Sequence, residues 1–146
     1  MSLPDAAVEE TVARMTTEQV VNDFNIQIST VNGSGSQTAN LLLMRAIFQM
    51  GIPVSGKNLF PSNIAGLPTW YTIRVSKDGY VGRRRDVDFL VAMNRATARD
   101  DVMALPPRAV VVYDEPLGLS GLRDDVSFYP VPFDKLVAEV CSDAKL

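Results

Sequence analysis

The first regular pattern along the chain is a strict alternation of apolar and polar residues. Phe24, Ile26 and Ile28 are separated by single polar residues. A period of two places successive side chains on opposite faces of a sheet, as in a half-buried β-strand. We therefore predict that the first strand begins near residue 23 and ends near residue 31.

The pattern then changes to a helical period. Leu43, Ala46, Ile47 and Met50 are spaced i, i+3, i+4 and i+7, which predicts an amphipathic helix over residues 37–50. Gly51 follows at the position where a left-handed residue commonly ends a helix. The first strand is therefore connected directly to a helix through a short segment rich in glycine and serine.

Later apolar runs predict further strands and helices. Strands are expected at Trp70–Val75, Phe89–Met93, Ala109–Tyr113 and Val126–Val131, and helices at residues 98–105 and 133–141. Asp78 and Gly79 predict a hairpin turn into a return strand at Tyr80. Residues 55–69 contain two prolines and two glycines and are predicted to form an ordered loop. The order of elements predicts an α/β, three-layer fold with a mostly parallel sheet and one antiparallel hairpin.

Composition narrows the possible functions. The 146 residues are 47% hydrophobic and carry a formal net charge of -3, which suits one globular domain and disfavours nucleic-acid binding. The chain contains no histidine and one cysteine, so Ser–His and Cys–His nucleophiles, histidine metal sites and internal disulfides are excluded. We predict no catalytic residue and no metal ligand set. This composition favours a binding domain or one part of a larger enzyme.

The N-terminal region gives little structural information. Residues 1–20 are polar with scattered apolar positions, and we expect them to form an arm or a leading helix before a domain at 21–146. They contain no apolar signal core, and no apolar run in the chain has the length of a transmembrane helix. We therefore expect no membrane partner and a cytoplasmic location.

The strongest candidate site is the turn between the first strand and the first helix, where a ligand would meet strand ends and unpaired helical N–H groups. Two interpretations remain open: a phosphate or anion site, or a corner capped by a serine or asparagine side chain. The turn lacks the third glycine of a dinucleotide motif and the lysine of a Walker motif. Its residues are Asn32, Gly33, Ser34, Gly35, Ser36 and Gln37.

A second candidate is the predicted loop at 55–69 with the aromatic residue that follows it. Its polar groups lie between apolar anchors, which is typical of a binding or interface loop or of a lid packed on the domain's own core. The candidate interface or active-site residues are Lys57, Asn58, Ser62, Asn63 and Trp70.

These segments also carry a family resemblance. It rests on NGSGSQTANLLLMRAIFQMGIPVSGKNLFPSNIAGLPTWYTIRVS, which resembles the gamma domain of 2-oxoacid:ferredoxin oxidoreductases, the pyruvate/ketoisovalerate oxidoreductase type. The resemblance is closest to the N-terminal gamma domain of the fused alpha subunit of 2-oxoglutarate:ferredoxin oxidoreductase. It covers roughly Val21 to Leu146, and its specific parts are Asn32–Asn40 and Gly56–Val75.

Two departures from the usual motifs point to that branch. Free gamma subunits typically read G-x-G-G-Q-G in the first turn, where this chain reads Gly33-Ser34-Gly35-Ser36-Gln37-Thr38. They also carry an R-G-G, where this chain reads Ile64-Ala65-Gly66-Leu67. Both differences fit the fused alpha subunit.

The resemblance implies an accessory domain, inactive alone, of an enzyme that converts a 2-oxoacid and coenzyme A to an acyl-CoA and CO2. The assembled enzyme would use thiamine diphosphate and an iron–sulfur cluster, neither of them bound by this domain, and would pass electrons to ferredoxin. It implies partners among the other domains and subunits and, through the family branch, 2-oxoglutarate as substrate. Within this domain, the phosphates of coenzyme A are expected near Asn32–Gln37. Separately, the final predicted helix has no clear end and no following strand, so we expect the chain to be truncated at Leu146.

Two alternatives belong to other classes of protein. The first is a stand-alone module that binds coenzyme A or a nucleotide without redox chemistry. The second is an assembly scaffold in which the glycine-serine turn binds no ligand.

Overall fold

The computed structural model describes residues 22–61, 64–80, 82 and 84–140. The predicted N-terminal arm and the last residues of the chain lie outside this part. The elements, in chain order, are β1 Asp23–Val31, α1 Ser36–Gln49, β2 Val54–Leu59, β3 Pro68–Ser76, β4 Phe89–Ala92, α2 Ala98–Met103, β5 Val110–Asp114, a 3-10 turn Glu115–Leu117, β6 Ser127–Val131 and α3 Phe133–Val140.

The described strands form one sheet in the order β2-β3-β1-β4-β5-β6. β1, β4, β5 and β6 are parallel to one another, whereas β3 is antiparallel to both of its neighbours, β1 and β2. The predicted α/β class and mostly parallel sheet are confirmed. β6 is an edge strand, as Pro130 predicts, because proline cannot donate to a neighbouring strand.

Helices cover both faces of the sheet, which gives three layers. On one face, Met44 and Ile47 of α1 pack against a core that contains Ile28, Tyr71 and Ile73. On the other face, α2 contributes to a second core through the buried residues Ala98 and Val102, together with Leu90, Ala92 and Val111 of the sheet. The two faces separate because side chains alternate along each strand.

The antiparallel hairpin lies elsewhere than predicted. Residues 54–59 form β2, which pairs with β3, so the expected loop at 55–69 begins as a strand. The expected return strand at Tyr80 is absent, since that residue is outside any strand and β3 is already paired on both edges. The hairpin connection is therefore the segment between Leu59 and Pro68.

The buried side of α1 also differs from the predicted one. Leu43 and Met50 are 41% and 74% exposed, while Asn40 is buried and Met44 and Ile47 face the core. The inner positions are therefore 40, 44 and 47, with a polar residue in the first. This rotation places Asn40 beneath the turn that begins the helix.

Candidate functional site

The turn between β1 and α1 depends on two glycines with left-handed backbone angles. Gly33 has φ 87° and Gly35 has φ 78°, a region that L side chains rarely adopt. Gly35 directly precedes the helix, and no side chain caps the first turn. Of the two interpretations left open by the sequence, the corner capped by a serine or asparagine side chain is therefore wrong in its cap. Because the first helical N–H groups have no intrahelical acceptor, those of Ser36 and Gln37 are available to a ligand.

Asn32 attaches this turn to the connection between β2 and β3. Its backbone N–H donates to Leu67 O at 2.8 Å, and its carbonyl accepts from Gly66 N at 2.9 Å. Its side-chain Nδ2 donates to Ile64 O at 3.1 Å. The two candidate segments of the sequence are thus parts of one structure.

The electrostatics of the turn favour a negative or electron-rich group. The first turn of α1 contains no acidic residue, so nothing offsets the positive end of its dipole. The Ser36 hydroxyl lies 2.9 Å from Thr30 Oγ1, which fixes its position at the start of the helix. The turn follows β1 at the end of the sheet where open α/β folds usually bind ligands.

A cavity of about 260 Å³ lies beneath the turn. Its lining is polar and uncharged, because it consists of amides, hydroxyls and glycines. The lining residues are Thr30, Asn32, Gly33, Gly35, Ser36, Gln37, Thr38, Asn40, Asn58, Thr69 and Tyr71. A second cavity of about 400 Å³ shares three of these residues and is more apolar, with Val91, Met93 and Phe133 in its wall.

The sequence did not predict five residues of the first cavity as site residues: Thr30, Thr38, Asn40, Thr69 and Tyr71. Asn40 is 6% exposed and makes no hydrogen bond through its side chain to any residue that the structure describes. Tyr71 is 8% exposed, and its hydroxyl donates only to Met44 Sδ, a weak acceptor, at 3.8 Å. No sequence signal marked Asn40, because the apolar spacing placed Leu43 and Met50, and not positions 40 and 44, on the inner face of the helix.

The residues of the second candidate segment lie on both faces of the sheet. Asn58 faces the cavity beneath the turn, where its Oδ1 accepts from Thr69 Oγ1 at 3.1 Å. Lys57 lies on the opposite face and lines another cavity of about 300 Å³ with Arg74. Ser62 and Asn63 lie outside the described residues. Of the predicted site residues of this segment that the structure describes, only Asn58 lines the cavity beneath the turn.

Trp70 is anchored on the face of the sheet that Lys57 shares. Its Nε1–H donates to Asp101 Oδ1 at 2.9 Å, and Ser29 Oγ donates to the other oxygen of Asp101 at 2.7 Å. Asp101 therefore connects α2 to β3 and β1 at once. The described residues contain no group of three or more metal-ligating side chains and no helix long and apolar enough to cross a membrane.

The fold and the turn define an α/β domain whose candidate ligand-binding turn lies at the carboxyl ends of parallel strands. The chain belongs to the pyruvate ferredoxin/flavodoxin oxidoreductase family, whose model matches residues 25–145. The family resemblance predicted from the sequence is thereby confirmed.

The solved structures that share this fold include three 2-oxoacid oxidoreductases or subunits of them. The first is a 2-oxoglutarate:ferredoxin oxidoreductase from Magnetococcus marinus with 2-oxoglutarate, coenzyme A and succinyl-CoA bound; the TM-score is 0.71 and the identity 23%, over 81% of this chain and 21% of that chain. The second is the pyruvate oxidoreductase subunit PORC from Thermotoga maritima, with a TM-score of 0.62 and 15% identity over 81% of this chain and 66% of that chain. The third is the gamma subunit of a keto/oxoacid ferredoxin oxidoreductase from Geobacter sulfurreducens, with a TM-score of 0.63 and 16% identity over 80% of this chain and 66% of that chain. No curated protein matches the sequence.

Proposed function

We propose that this chain is the accessory gamma domain of a 2-oxoacid:ferredoxin oxidoreductase, which converts a 2-oxoacid and coenzyme A to an acyl-CoA and CO2. The observation that supports this most is the family match over residues 25–145. The shared fold of the Geobacter gamma subunit supports it further. The match covers only 21% of the Magnetococcus chain, so the activity proposed here is that of a larger enzyme of which this chain would be one part.

We propose 2-oxoglutarate as the substrate and succinyl-CoA as the product. Support comes from the Magnetococcus enzyme, which has these molecules bound and shares the fold with a TM-score of 0.71, against 0.62 for the pyruvate oxidoreductase subunit. The motif departures at Gly33–Thr38 and Ile64–Leu67 point the same way. Residues that contact the 2-oxoacid would belong to the partner domains.

The two cofactors of this reaction would also belong to other domains or subunits. Iron–sulfur clusters are held by several cysteine thiolates, and this sequence has one cysteine. Thiamine diphosphate would supply the decarboxylation chemistry in the assembled enzyme, and the clusters would pass electrons to ferredoxin. The expected cytoplasmic location remains a prediction.

Coenzyme A is the ligand that we assign to this domain, with its phosphates at the turn Asn32–Gln37. Gly33 and Gly35 allow close approach of the backbone, and the N–H groups at the start of α1 favour an anion. The hydroxyls of Ser34 and Ser36 and the amide of Gln37 add donors around the same point. No acidic side chain in the first turn opposes a phosphate.

The test is the affinity of the assembled enzyme for coenzyme A. Combined Ser34→Ala, Ser36→Ala and Gln37→Ala substitutions should raise the dissociation constant by about tenfold or more, since each removes a polar contact. Gln49→Ala, at the other end of α1, is the matched control and should leave it unchanged. An unaltered affinity in the triple variant would contradict the placement.

A further inference from the structure

The cavity beneath the turn is uncharged, although it lies next to the proposed phosphate site. None of its lining residues is an Asp, Glu, Lys or Arg. Side-chain recognition of phosphate usually relies on Arg or Lys. The turn above offers backbone N–H groups to an anion, but the floor offers amides and hydroxyls. The two levels of the site therefore suit different parts of a ligand.

Asn40 is the most informative group on the floor. A carboxamide contains two N–H donors and a carbonyl acceptor, and nearly all buried polar groups of this kind are hydrogen-bonded. The Asn40 side chain is 6% exposed and lines the cavity, and no side-chain hydrogen bond joins it to a described residue. Among the described residues the fully enclosed side-chain atom without a partner is Asn25 Oδ1, so the polar atoms of Asn40 are open to the cavity. The Asn40 amide can therefore form hydrogen bonds with a ligand group that contains both an acceptor and a donor.

Tyr71 lines the same cavity, and its ring is accommodated by the absence of a side chain on β2. A Cβ added at Gly56 would overlap Tyr71 Oη and come within 2.6 Å of Met44 Sδ. Glycine thus allows the tyrosine ring to extend under the strand. The hydroxyl donates to the Met44 sulfur, a weak acceptor at 3.8 Å, so an oxygen or nitrogen acceptor of a ligand would be a stronger partner.

We propose that Asn40, assisted by Tyr71, determines specificity by binding an uncharged group of the ligand that presents a donor and an acceptor together. This inference rests on the proposed function, in which the ligand is coenzyme A. Coenzyme A contains this chemistry twice, in the amides of its pantetheine arm and in the amino edge of its adenine. The phosphates stay at the backbone of the turn above.

The experiment measures affinity for coenzyme A in the assembled enzyme carrying Asn40→Leu, a substitution of similar size without polar atoms. Loss of hydrogen bonds to a neutral group should weaken binding by about tenfold, and Tyr71→Phe should weaken it by about threefold. The melting temperature of the ligand-free Asn40→Leu variant should stay close to that of wild type, because the substitution removes no hydrogen bond to a described residue. Gln49→Leu is the matched control on the same helix.

Two analogues identify the group that Asn40 contacts. With 1,N6-etheno-CoA, whose adenine edge is blocked, the loss caused by Asn40→Leu disappears if adenine is the contact and persists if the pantetheine arm is. With dephospho-CoA, the loss should be retained in full, since the 3′-phosphate is not involved. Combining the Asn40→Leu substitution with a change in the ligand is equivalent to a double-mutant cycle, and it distinguishes a contact with adenine from a contact with the pantetheine arm.

Three results would overturn the inference. One is an Asn40→Leu loss below about twofold, which is smaller than one neutral hydrogen bond normally contributes. Another is a loss that vanishes with dephospho-CoA, which would make Asn40 part of a phosphate site. The third is a lowered melting temperature with unchanged affinity, which would make Asn40 a structural residue. A wild-type assembly that fails to bind coenzyme A would instead overturn the proposed function.

Discussion

Among the glycines, Gly56 has the least space for a side chain. The structure leaves no room for a Cβ there, because the hydroxyl of Tyr71 and the sulfur of Met44 already occupy that space. Gly82, by contrast, has nothing within 4 Å of an added Cβ and an ordinary backbone angle. The two glycines therefore provide a matched pair.

We predict that Gly56→Ala lowers the free energy of unfolding by about 1–3 kcal/mol, because overpacking forces the tyrosine ring or the strand to move. Chemical denaturation of the purified chain or its assembly measures this. Gly82→Ala should change the value by less than about 1 kcal/mol. Equal effects for the two substitutions would show that Tyr71 is not confined as the structure indicates.

Asp101 is the residue whose loss should be easiest to observe. Its carboxylate accepts from Trp70 Nε1 at 2.9 Å and from the fully buried Ser29 at 2.7 Å. Trp70 is the only tryptophan of the chain, so its emission reports on this contact alone. Asp100, in the same helical turn, is exposed and is the natural control.

Asp101→Ala should destabilise the fold by about 1–3 kcal/mol, since it leaves two donors without their acceptor. It should also shift the Trp70 emission maximum. Asp100→Ala removes the same charge from the helix start and should do neither. An unchanged emission in Asp101→Ala would contradict the hydrogen bond to the indole.

At the scale of elements, α2 is held at its C-terminal end by Arg123. The guanidinium donates to Val102 O, in the last turn of α2, at 3.1 Å and to Leu105 O, just after the helix, at 2.7 Å. It also donates to both carboxylate oxygens of Asp125, at 2.8 and 2.6 Å. The pKa of Asp125 lies below its usual 3.8, first because of this hydrogen bond and then because of the positive charge of Arg123.

This pair predicts a pH dependence with a definite sign. A carboxyl group whose folded-state pKa is lowered stabilises the fold above its unfolded-state pKa, and this stabilisation is lost as the pH falls through the lower, folded-state value. Arg123 stays protonated throughout, because its own pKa is raised. The melting temperature of Asp125→Asn should lie below that of wild type near neutral pH, with the difference closing below about pH 4. If the melting temperatures of wild type and Asp125→Asn differed by the same amount from pH 7 to pH 2, the predicted role of the Asp125 carboxylate would be contradicted.

Elements with a regular apolar pattern could be predicted from the sequence, whereas strands that form because a neighbouring strand offers a free edge could not. β1 alternates apolar and polar residues and β5 is a continuous apolar run, because burial in the core selects apolar residues at those positions. β2 has apolar residues only at its ends, Val54 and Leu59, and forms because β3 offers an edge. The return strand expected at Tyr80 fails for the same reason, as both edges of β3 are taken.

The candidate site was predicted in part. The glycine pattern located the turn, because positive φ angles require glycine at Gly33 and Gly35. The cavity beneath it was not predictable, since it joins Asn40 and Tyr71 through a long-range packing of helix on sheet. The apolar spacing of α1 pointed to Leu43 and Met50, which are exposed, and so hid the polar inner position.

At the scale of the whole molecule, α3 carries an exposed apolar stripe. Leu136, Val137 and Val140 are 46%, 59% and 84% exposed. These residues share one face of the helix, and within the described chain that face points outwards. An apolar stripe of this kind is typical of a surface that contacts a partner, here the other domains of the proposed enzyme.

We predict that Val137→Lys weakens assembly with these domains while leaving the melting temperature of the chain within a few degrees of wild type, because the site is already exposed. Ala138→Lys adds the same charge to the next position and should assemble normally. Sedimentation velocity of the mixed components gives the readout. Normal assembly of the Val137→Lys variant would remove α3 from the interface.

The central claim is that this chain is part of a 2-oxoacid:ferredoxin oxidoreductase. The most direct measurement is acyl-CoA formation by the assembly purified through this chain, with 2-oxoglutarate or pyruvate, coenzyme A and oxidised ferredoxin supplied. The account predicts succinyl-CoA formation that requires coenzyme A and is coupled to ferredoxin reduction, with 2-oxoglutarate preferred. An assembly that binds coenzyme A yet oxidises neither 2-oxoacid would contradict the account and favour the stand-alone binding module.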